Sequence, residues 1–497
     1  MSFFRKLTVC GVNISRFDIL VDDSSEAAEI ILTNELAEEM QKFFSEKLIG
    51  RELNIVKNRW SNINYIVLSA SNISVNDYSV KIADGNIYIK GSYFSINKAI
   101  ECFYRDVLGY REGQSGGKAK DITEKDSLCG SLSYKVSYTK QDMLRLMKDV
   151  YNDDDKVLSG CHTYSTTKRS SIFNGSGIRD TRDAIMKKTG KTPVILELDA
   201  GSYSIYVPEH FGRDTLGAYD LSKILSEALE FASEGGIISV CIHMANPLEN
   251  YKNAVWWSGT LESREKAIEM LTEGTAMHDL LRKTIAPTVK LLKGLKENNI
   301  PFMFRPLHEM NASGFWWSVG SGGGKIIDAE VYKMFWMFFY KLVTEEIGFN
   351  DVLWVYAPNH SWDGIASTVY AYPGDEYVDI VGVDWYTGKY FELNQNGGYN
   401  KLMETGKPVA LTETGNGWTL NKTAEDGSKY IDFSGLDLLE ILKRMRNEGF
   451  KTTYFETWTR SMSLASYAHS DILMADPMVI TLEDMNDYWN KIKGEKK

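Results

Sequence analysis

Cysteine is scarce in this chain of 497 residues. The five cysteines are too few and too scattered for a disulfide framework, and their odd number leaves at least one thiol unpaired. A small domain held together by disulfides is therefore excluded, and reduced thiols are expected.

Long apolar runs and an excess of positive charge are absent too. No apolar stretch reaches the roughly 18 residues that a membrane-spanning helix needs. Asp and Glu (67) outnumber Lys and Arg (56), and the net charge of −11 has the wrong sign for a general nucleic-acid binder. Neither a membrane nor a nucleic acid is therefore expected as a partner. Residues 1–15 lack the apolar core of a signal peptide, so we expect a cytoplasmic location, the alternative being a secreted protein whose signal is absent from this chain.

The remaining composition is that of a globular protein. Apolar residues make up 43% and charged residues 25%, which suffices to bury a full core and excludes wholesale disorder. At roughly 100 to 200 residues per domain, the length predicts two or three domains unless one large α/β barrel takes most of the chain.

Residues 1–112 are predicted to form a small α/β accessory domain. Asp84-Gly85, between two β-rich runs, supplies the positive φ angles of a tight hairpin. Between 113 and 136, glycine, serine and lysine replace the apolar periodicity, which predicts a linker. The predicted elements are strands over 17–21, 65–69, 78–82 and 87–91 and helices over 25–47 and 95–107.

Residues 137–497 are predicted to form a closed (β/α)8 TIM barrel. Eight short β-rich runs alternate there with helical periodicity, and in such barrels the reactive side chains lie at the C-terminal ends of the strands. The predicted strands are 157–158, 194–198, 237–242, 301–304, 352–355, 380–383, 409–411 and 453–455, and the predicted helices include 221–232, 286–296, 331–345, 436–447 and 482–493.

Two glutamates follow predicted strands on facing sides of this barrel. Strand four runs into His308-Glu309, and strand seven runs into Thr412-Glu413. Such a pair suits glycoside hydrolysis, in which one carboxyl protonates the leaving oxygen and the other, ~5 Å away, attacks the anomeric carbon. Aromatic side chains, among them 12 tryptophans and 27 tyrosines, can pack on the apolar faces of sugars.

Motifs for metals and phosphates are incomplete. The run 308–312 begins like a zinc-protease helix but has Ala312 where the second histidine belongs. Gly320 to Lys325 lacks the glycine spacing and the hydroxyl of a phosphate loop, and it is interpreted as a flexible surface loop. We therefore predict no metal and no cofactor.

The run from Arg305 to Trp317 resembles the acid/base signature of glycoside hydrolase family 26, whose best-known members are endo-β-1,4-mannanases. The similarity extends over residues 140–495. Further motifs match in the same order, and these are Leu158-Ser159-Gly160, Gly235-Gly236 before His243, Asn246-Pro247, Asp384-Trp385-Tyr386 and Thr412-Glu413-Thr414-Gly415.

The resemblance implies a retaining double displacement with Glu309 as the general acid/base and Glu413 as the nucleophile. Glu309 is then expected in a dry, apolar setting, and Glu413 is expected to be held by hydrogen bonds or positive charge. The resemblance also implies that Tyr386 hydrogen-bonds the nucleophile and that His308 orients the substrate. It assigns six further residues to substrate binding: His243, Arg305, Phe315, Trp317, Asp384 and Trp458.

Some of these six have more specific expected roles. Asp384 supports the site, and His243 and Trp458 line the side of the retained sugar. Arg305 has two interpretations, since it could fix the Glu413 carboxylate or pair with a buried structural acid.

One departure from the family pattern bears on the substrate. Gly314 stands where mannanases of this family carry a tryptophan that walls the leaving-group subsite, and Ala312 replaces a glycine. The leaving-group subsite is therefore expected to be weak or to be supplied by another residue. Mannan or manno-oligosaccharides are the preferred substrates, and the alternatives are mixed-linkage β-glucan and β-1,3-xylan, on which other members of the family act. A non-catalytic carbohydrate-binding barrel ranks lower, and the oligomeric state is left open.

The N-terminal part, residues 14–110, is faintly similar to the non-catalytic α/β domain of exo-hexosaminidases and α-glucuronidases. This implies a domain that braces the barrel or shapes one end of its cleft. The alternative is that the N-terminal domain is the active module and the barrel is secondary.

Overall fold

The computed structural model divides into two compact units, Met1–Tyr134 with Leu216–Ser226, and Lys135–Thr215 with Glu227–Lys497. The residues that it describes are 7–21, 27–49, 52–70, 77–92, 95–110, 120–131, 135–163, 178–200, 218–244, 246–247, 263–312, 314–319, 327–386, 390–415, 421–423, 429–431, 437–458, 462–466 and 469–494.

The described residues of Met1–Tyr134 form two sheets and two α-helices, and the first unit also takes in the start of a third helix, within Leu216–Ser226. In each of the first two helices the last turns are π-helical, over Phe44–Ile49 and Phe103–Val107. The strands are β1 (Leu7–Val9), β2 (Val12–Asn13), β3 (Asp18–Val21), β4 (Ile55–Val56), β5 (Tyr65–Ala70), β6 (Asp77–Ala83), β7 (Asn86–Gly91), β8 (Lys120–Ile122) and β9 (Leu128–Ser131), and the helices are α1 (Ala27–Phe43) and α2 (Ile96–Cys102).

The larger sheet has the order β4-β3-β5-β7-β6-β9, and the smaller one has the order β2-β1-β8. All six residues of β5 are buried, as expected for a central strand with parallel neighbours. The predicted hairpin is confirmed, because β6 and β7 pair antiparallel around Asp84 (φ 50°) and Gly85 (φ 74°). The helices bury Leu36 and Phe103 in one core with Ile66 of the sheet.

Residues 120–131 differ from the predicted linker over 113–136. β8 pairs parallel with β1, and β9 pairs antiparallel with β6. A short 3₁₀ helix, Glu124–Asp126, joins the two strands and begins with a capping box at Thr123. Strands this short have no apolar run of their own, and their position depends on the sheets that they join.

The second unit is built on a closed barrel of parallel strands, as predicted. Each strand pairs with the next in the order β10 to β16 and then β19, and β10 also pairs with both β11 and β19, which closes the ring. The strands of this unit are β10 (Val157–Thr163), β11 (Ile195–Asp199), β12 (Ile237–Cys241), β13 (Phe302–Arg305), β14 (Val352–Tyr356), β15 (Ile380–Trp385), β16 (Val409–Thr414), β17 (Asn421–Thr423), β18 (Lys429–Ile431), β19 (Tyr454–Thr457) and β20 (Val479–Ile480).

All eight predicted barrel strands are confirmed, and every residue of these strands is buried. Burial on both faces is typical of parallel strands in a barrel and explains why their sequences are apolar runs rather than alternating patterns.

Helices connect the barrel strands, and all five predicted helices overlap observed ones. The helix predicted over 286–296 begins earlier, at Ala276, where the Thr275 side chain caps it by accepting a hydrogen bond from the backbone N–H of His278. The helices are α3 (Lys140–Tyr151), α4 (Ile178–Thr189), α5 (Ala218–Ser233), α6 (Arg264–Met270), α7 (Ala276–Glu297), α8 (Ala329–Lys341, continued by a π-helical segment, Leu342–Glu346), α9 (Gly398–Met403), α10 (Leu438–Asn447), α11 (Ser470–Ala475) and α12 (Met485–Lys493).

Among the helices within the described ranges, none has the length and apolar character that would let it cross a bilayer. The predicted loop at Gly320 to Lys325 lies outside the described part of the chain.

A shift of register determines which side chains meet at the C-terminal end of the barrel. Between β15 and β16 the pairing slips after Val383, so that Asp384 lies beside Glu413 rather than Thr412. A bulge of this kind re-aims side chains and is common next to active sites. The two strands also approach closely at Gly382, where a Cβ would lie only 2.3 Å from Cγ2 of Thr412.

Candidate active site

The two predicted catalytic glutamates lie together at the C-terminal end of the barrel. Glu413 is the fifth residue of β16, and Glu309 lies in the loop after β13. Carboxylate oxygens of Glu309, Asp384 and Glu413 lie within 4.8 Å of one another. Glu309 is 7% exposed and Glu413 is 3% exposed, so both carboxyl groups are largely removed from solvent.

The Glu413 carboxylate accepts a hydrogen bond at each oxygen. Arg305 Nη2 donates to Oε1 at 2.5 Å, and the Tyr386 hydroxyl donates to Oε2 at 2.5 Å. Burial and the neighbouring Glu413 charge raise the pKa of Tyr386 well above its usual range, so its hydroxyl remains a donor. The contact predicted between Tyr386 and Glu413 is therefore present.

Arg305 satisfies both of its interpretations at once. It binds Glu413, and it donates to Glu197 through Nη2 (2.6 Å) and Nε (3.2 Å) and to Asp384 through Nη1 (2.9 Å). Burial lowers the pKa of Arg305, but the surrounding carboxylates more than offset this, so its pKa lies well above the ordinary value. Arg305 is thus a permanent cation that joins β11, β15 and β16 through their acidic side chains.

Two further buried glutamates, Glu197 of β11 and Glu456 of β19, lie close to this centre. Glu197 accepts hydrogen bonds from Arg305 and from the Ser239 hydroxyl (2.7 Å), and its carboxylate lies 2.8 Å from His162 Nε2. Burial raises its pKa, but Arg305 and His162 outweigh burial and lower it. Glu456 lies 3.5 Å from the same His162 nitrogen, and burial together with the Glu197 charge raises its pKa well above the ordinary range. The pKa values of Glu197 and Glu456 are thus shifted in opposite directions, because Arg305 and His162 contact Glu197 more directly.

Glu309 has the drier setting that was expected for an acid. Burial and the charge of Glu413 raise its pKa to about 7, whereas His243, Arg305 and a hydrogen bond from the Asn359 side chain lower it. Its backbone has a left-handed φ of 54°, and its N–H donates to Ala357 O at 2.7 Å.

A histidine pair flanks the acid. His308 Nε2 lies 3.2 Å from His243 Nε2, and His243 Nδ1 lies 2.8 Å from Asp199. Burial, followed by the charge of Arg305, lowers the pKa of His308 well below its ordinary value, which makes it a neutral imidazole. Burial lowers the pKa of His243 as well, but Asp199 more than compensates and raises it.

Three residues predicted to bind substrate are buried. Trp317 is 0% exposed; its ring stacks behind Phe315 at 4.5 Å, and its Nε1–H donates to His308 O at 2.8 Å. Asp384 is buried between Arg305 and the hydroxyl of Thr412, and Arg305 is buried among carboxylates. Burial between these partners fits the supporting role expected of Asp384 and both interpretations of Arg305. For all three residues, contact with substrate stays a prediction.

The other predicted substrate-binding residues border the glutamates. His243 lies 5.3 Å from Trp458 and 5.6 Å from Phe315, measured between ring centroids. Trp458 is half-buried and follows β19, and Phe315 packs edge-on against His308 at 4.9 Å. For these three, contact with substrate stays a prediction.

Asn359 was missed by sequence reasoning. It follows β14, the strand for which no reactive residue was named, and Asn311 hydrogen-bonds both its backbone N–H and its carbonyl. Its position directly after a barrel strand is the signal that could have identified it.

Side chains that could ligate a metal gather only in this centre, as far as the described residues go. The same carboxylate oxygens hold hydrogen bonds from Arg305, Tyr386 and Thr412, which accounts for their clustering without an ion. The absence of a metal or cofactor requirement stays a prediction.

One family profile and several known proteins are similar to this chain. The family profile of Glycosyl hydrolase family 26 matches residues 134–481. A mannan endo-1,4-beta-mannosidase of Bacillus subtilis is 26% identical over 368 residues, which cover 71% of this chain and 88% of that protein. Mannan endo-1,4-beta-mannosidase A and B of Caldalkalibacillus mannanilyticus is 30% identical over 300 residues, covering 59% of this chain and 52% of that protein.

Solved structures agree on the fold. The structure of a Bacillus subtilis mannanase superposes with a TM-score of 0.55 at 23% identity and covers 69% of this chain and 92% of that one. Beta-mannanase from a symbiotic protist of the termite Reticulitermes speratus superposes with a TM-score of 0.51 at 19% identity. The superposition covers 71% of this chain and 96% of that one.

Proposed function

Because the chain belongs to glycosyl hydrolase family 26 and is a glycoside hydrolase acting on an oligo- or polysaccharide, we propose that it cleaves β-1,4-mannosidic linkages in mannan or manno-oligosaccharides with retention of configuration. The observation that carries the stereochemistry is the approach of carboxylate oxygens of Glu309 and Glu413 to within 4.8 Å. Carboxyl groups ~5 Å apart suit a covalent double displacement, whereas inverting enzymes need about 6.5 to 9.5 Å to admit a water.

Glu413 is the nucleophile in this proposal. It attacks the anomeric carbon, the glycosidic bond breaks, and a covalent glycosyl-enzyme forms. Hydrogen bonds from Arg305 and Tyr386 orient both carboxylate oxygens, and the cation stabilises the negative charge before attack and after release.

Glu309 is the general acid and then the general base. A pKa of about 7 leaves a large protonated fraction at neutral pH, so its proton passes to the leaving glycosidic oxygen as the bond breaks. The carboxylate that remains then accepts a proton from the water that attacks the glycosyl-enzyme, which frees Glu413 and restores the starting state.

The mannan assignment rests on the relatives, which carry the name mannan endo-1,4-beta-mannosidase. The leaving-group side is expected to bind weakly. The aromatics that follow Gly314 leave little surface to replace the missing tryptophan, since Phe315, Trp316 and Trp317 are at most 5% exposed. Weak binding there favours short substrates held by the retained-sugar side.

A barrel that only binds sugar would not need this pair of glutamates. Two buried carboxyl groups this close repel each other, and that repulsion contributes to the raised pKa of Glu309. This unfavourable repulsion is expected where the two carboxyl groups act together on one glycosidic bond.

The proposal is tested by activity on mannan, manno-oligosaccharides, mixed-linkage β-glucan and β-1,3-xylan, with product sizing, for the wild type and for Glu309→Gln and Glu413→Gln. We expect turnover on the mannan substrates and a loss of at least about 1000-fold in each variant. Glu345→Gln, at an exposed glutamate, is the matched control and keeps full activity. Hydrolysis of only the glucan or the xylan would overturn the substrate, and near-normal activity of either variant would overturn the mechanism.

Azide rescue distinguishes the two roles. Azide should restore Glu413→Ala with inversion and, on a substrate with an activated leaving group, Glu309→Ala with retention. The reverse pattern would exchange the roles of the two glutamates.

A further inference from the structure

The segments after β13 and β14 are fastened together by an asparagine pair. Asn311 accepts the backbone N–H of Asn359 at Oδ1 (2.8 Å) and donates from Nδ2 to the Asn359 carbonyl (2.9 Å). Asn311 is itself buried, so this amide fixes the backbone of Asn359 at both of its polar groups. The side chain of Asn359 then hydrogen-bonds the Glu309 carboxylate.

The same two segments are joined at the backbone of Glu309. The Glu309 N–H donates to Ala357 O at 2.7 Å, two residues before Asn359, and the Ala312 N–H donates to Glu309 O at 3.1 Å. These bonds hold Glu309 at a φ of 54°, a left-handed conformation that non-glycine residues rarely adopt. The backbones of Glu309 and Asn359 are thus fixed relative to each other, and their side chains meet in one orientation.

We propose that Asn359 is a positioning residue for the acid/base, whose amide holds one oxygen of the Glu309 carboxyl so that the other is presented to the glycosidic oxygen and later to water. This inference rests on the proposed function. A neutral amide suits a group that must both give and take a proton, since its N–H donates to the carboxyl in either state. The cation and phenol that hold Glu413 form a different donor set, suited to a carboxylate that stays ionised until it attacks.

Several other charged and titratable groups surround Glu309, and a test by pH has to account for their effect on its pKa. Glu413 on β16 and Asp384 on β15 face it with acidic groups, and Tyr386 lies beyond β15. His243 after β12 and Arg305 on β13 lower its pKa, as does the Asn359 hydrogen bond, while burial and Glu413 raise it to about 7. Removal of the Asn359 amide alone leaves the rest in place, so the pKa of Glu309 should rise.

The test is the pH dependence of kcat/KM for Asn359→Ala and Asn359→Ser, on whichever oligosaccharide the wild type hydrolyses. We expect Asn359→Ala to lower kcat roughly 10- to 100-fold with little change in KM and to move the alkaline limb up by about one pH unit. Asn359→Ser keeps a hydroxyl donor, so it should lower kcat less and move the alkaline limb less than Asn359→Ala does. Asn400→Ala, at an exposed asparagine of α9, is the control and should leave both unchanged.

The outcomes separate this inference from the proposed function. A residue that merely supported the loop would lower stability or the amount of active enzyme without moving the alkaline limb. An unmoved limb in folded Asn359→Ala, or in the nearly isosteric Asn359→Leu, which also lacks the N–H donor, if the alanine variant does not fold, therefore overturns the inference. If Glu309→Gln keeps its activity, the proposed function has failed instead.

Discussion

Glu309 shows at the residue scale how a catalytic group strains the fold that holds it. Burial and the Glu413 charge raise its pKa from 4.5 to about 7. A carboxyl whose pKa is raised by folding stabilises the folded state fully only below the unfolded value, and this contribution is lost as the pH rises through the folded value. The difference, 7 − 4.5 = 2.5 pH units, corresponds to up to ~3 kcal/mol lost between about pH 4 and pH 8.

Glu309→Gln should therefore be more stable than the wild type at pH 8 while being inactive. The neutral amide is nearly isosteric and has no ionised form to bury, so its melting temperature should exceed that of the wild type by several degrees at pH 8. At pH 5 the two should nearly coincide. Thermal melts at both pH values provide the measurement, and an equal difference at the two would contradict the proposed burial of charge.

At the scale of elements, neighbouring strands approach closely where the buried acids lie. Gly160 of β10 faces Glu456 of β19, and a Cβ at Gly160 would lie 2.5 Å from Glu456 Cγ and 2.8 Å from Phe455 O. Glycine is needed here for close approach, since Gly160 is paired within the barrel and is not at a positive φ.

Gly160→Ala should destabilise the barrel by about 1 to 3 kcal/mol and lower kcat, because the displaced Glu456 contacts His162, which in turn contacts Glu197 below Arg305. Gly190→Ala is the comparison: it has open space and a φ of 72°, so it costs stability through backbone strain alone. For both variants, denaturant melts measure the loss of stability and kcat measures the loss of activity. A Gly160→Ala protein as active and stable as the wild type would refute the close packing.

At the scale of the whole molecule, every residue assigned to the reaction lies in the second unit. A fragment of residues 135–497 is therefore expected to keep hydrolysis of short oligosaccharides. The measurement is kcat/KM of the fragment against the full chain on manno-oligosaccharides, with circular dichroism as a check of folding. A folded but inactive fragment would instead make the first unit part of the catalytic machinery, the alternative raised from the sequence.

The sequence determined the barrel and its two glutamates because both leave local signatures. Eight apolar runs separated by helical periodicity are typical of a parallel (β/α)8 barrel, and residues directly after those runs share one rim. Glu309 and Glu413 were found in this way, and the family motifs around them added their roles. The cytoplasmic location stays a prediction.

Which side chains pair with one another across the barrel, and how deeply they are buried, was decided only by the closure of the barrel. Arg305 bonds Glu197, Asp384 and Glu413, which are between 79 and 108 residues away along the chain, and no local pattern states which of them is within reach. The stacking of Trp317 on Phe315 and the hydrogen bond from Asn359 to Glu309 likewise follow from the folded chain and from no local pattern. Strand periodicity tells which way a side chain points, whereas its neighbours, its dielectric surroundings and hence its pKa are properties of the closed ring.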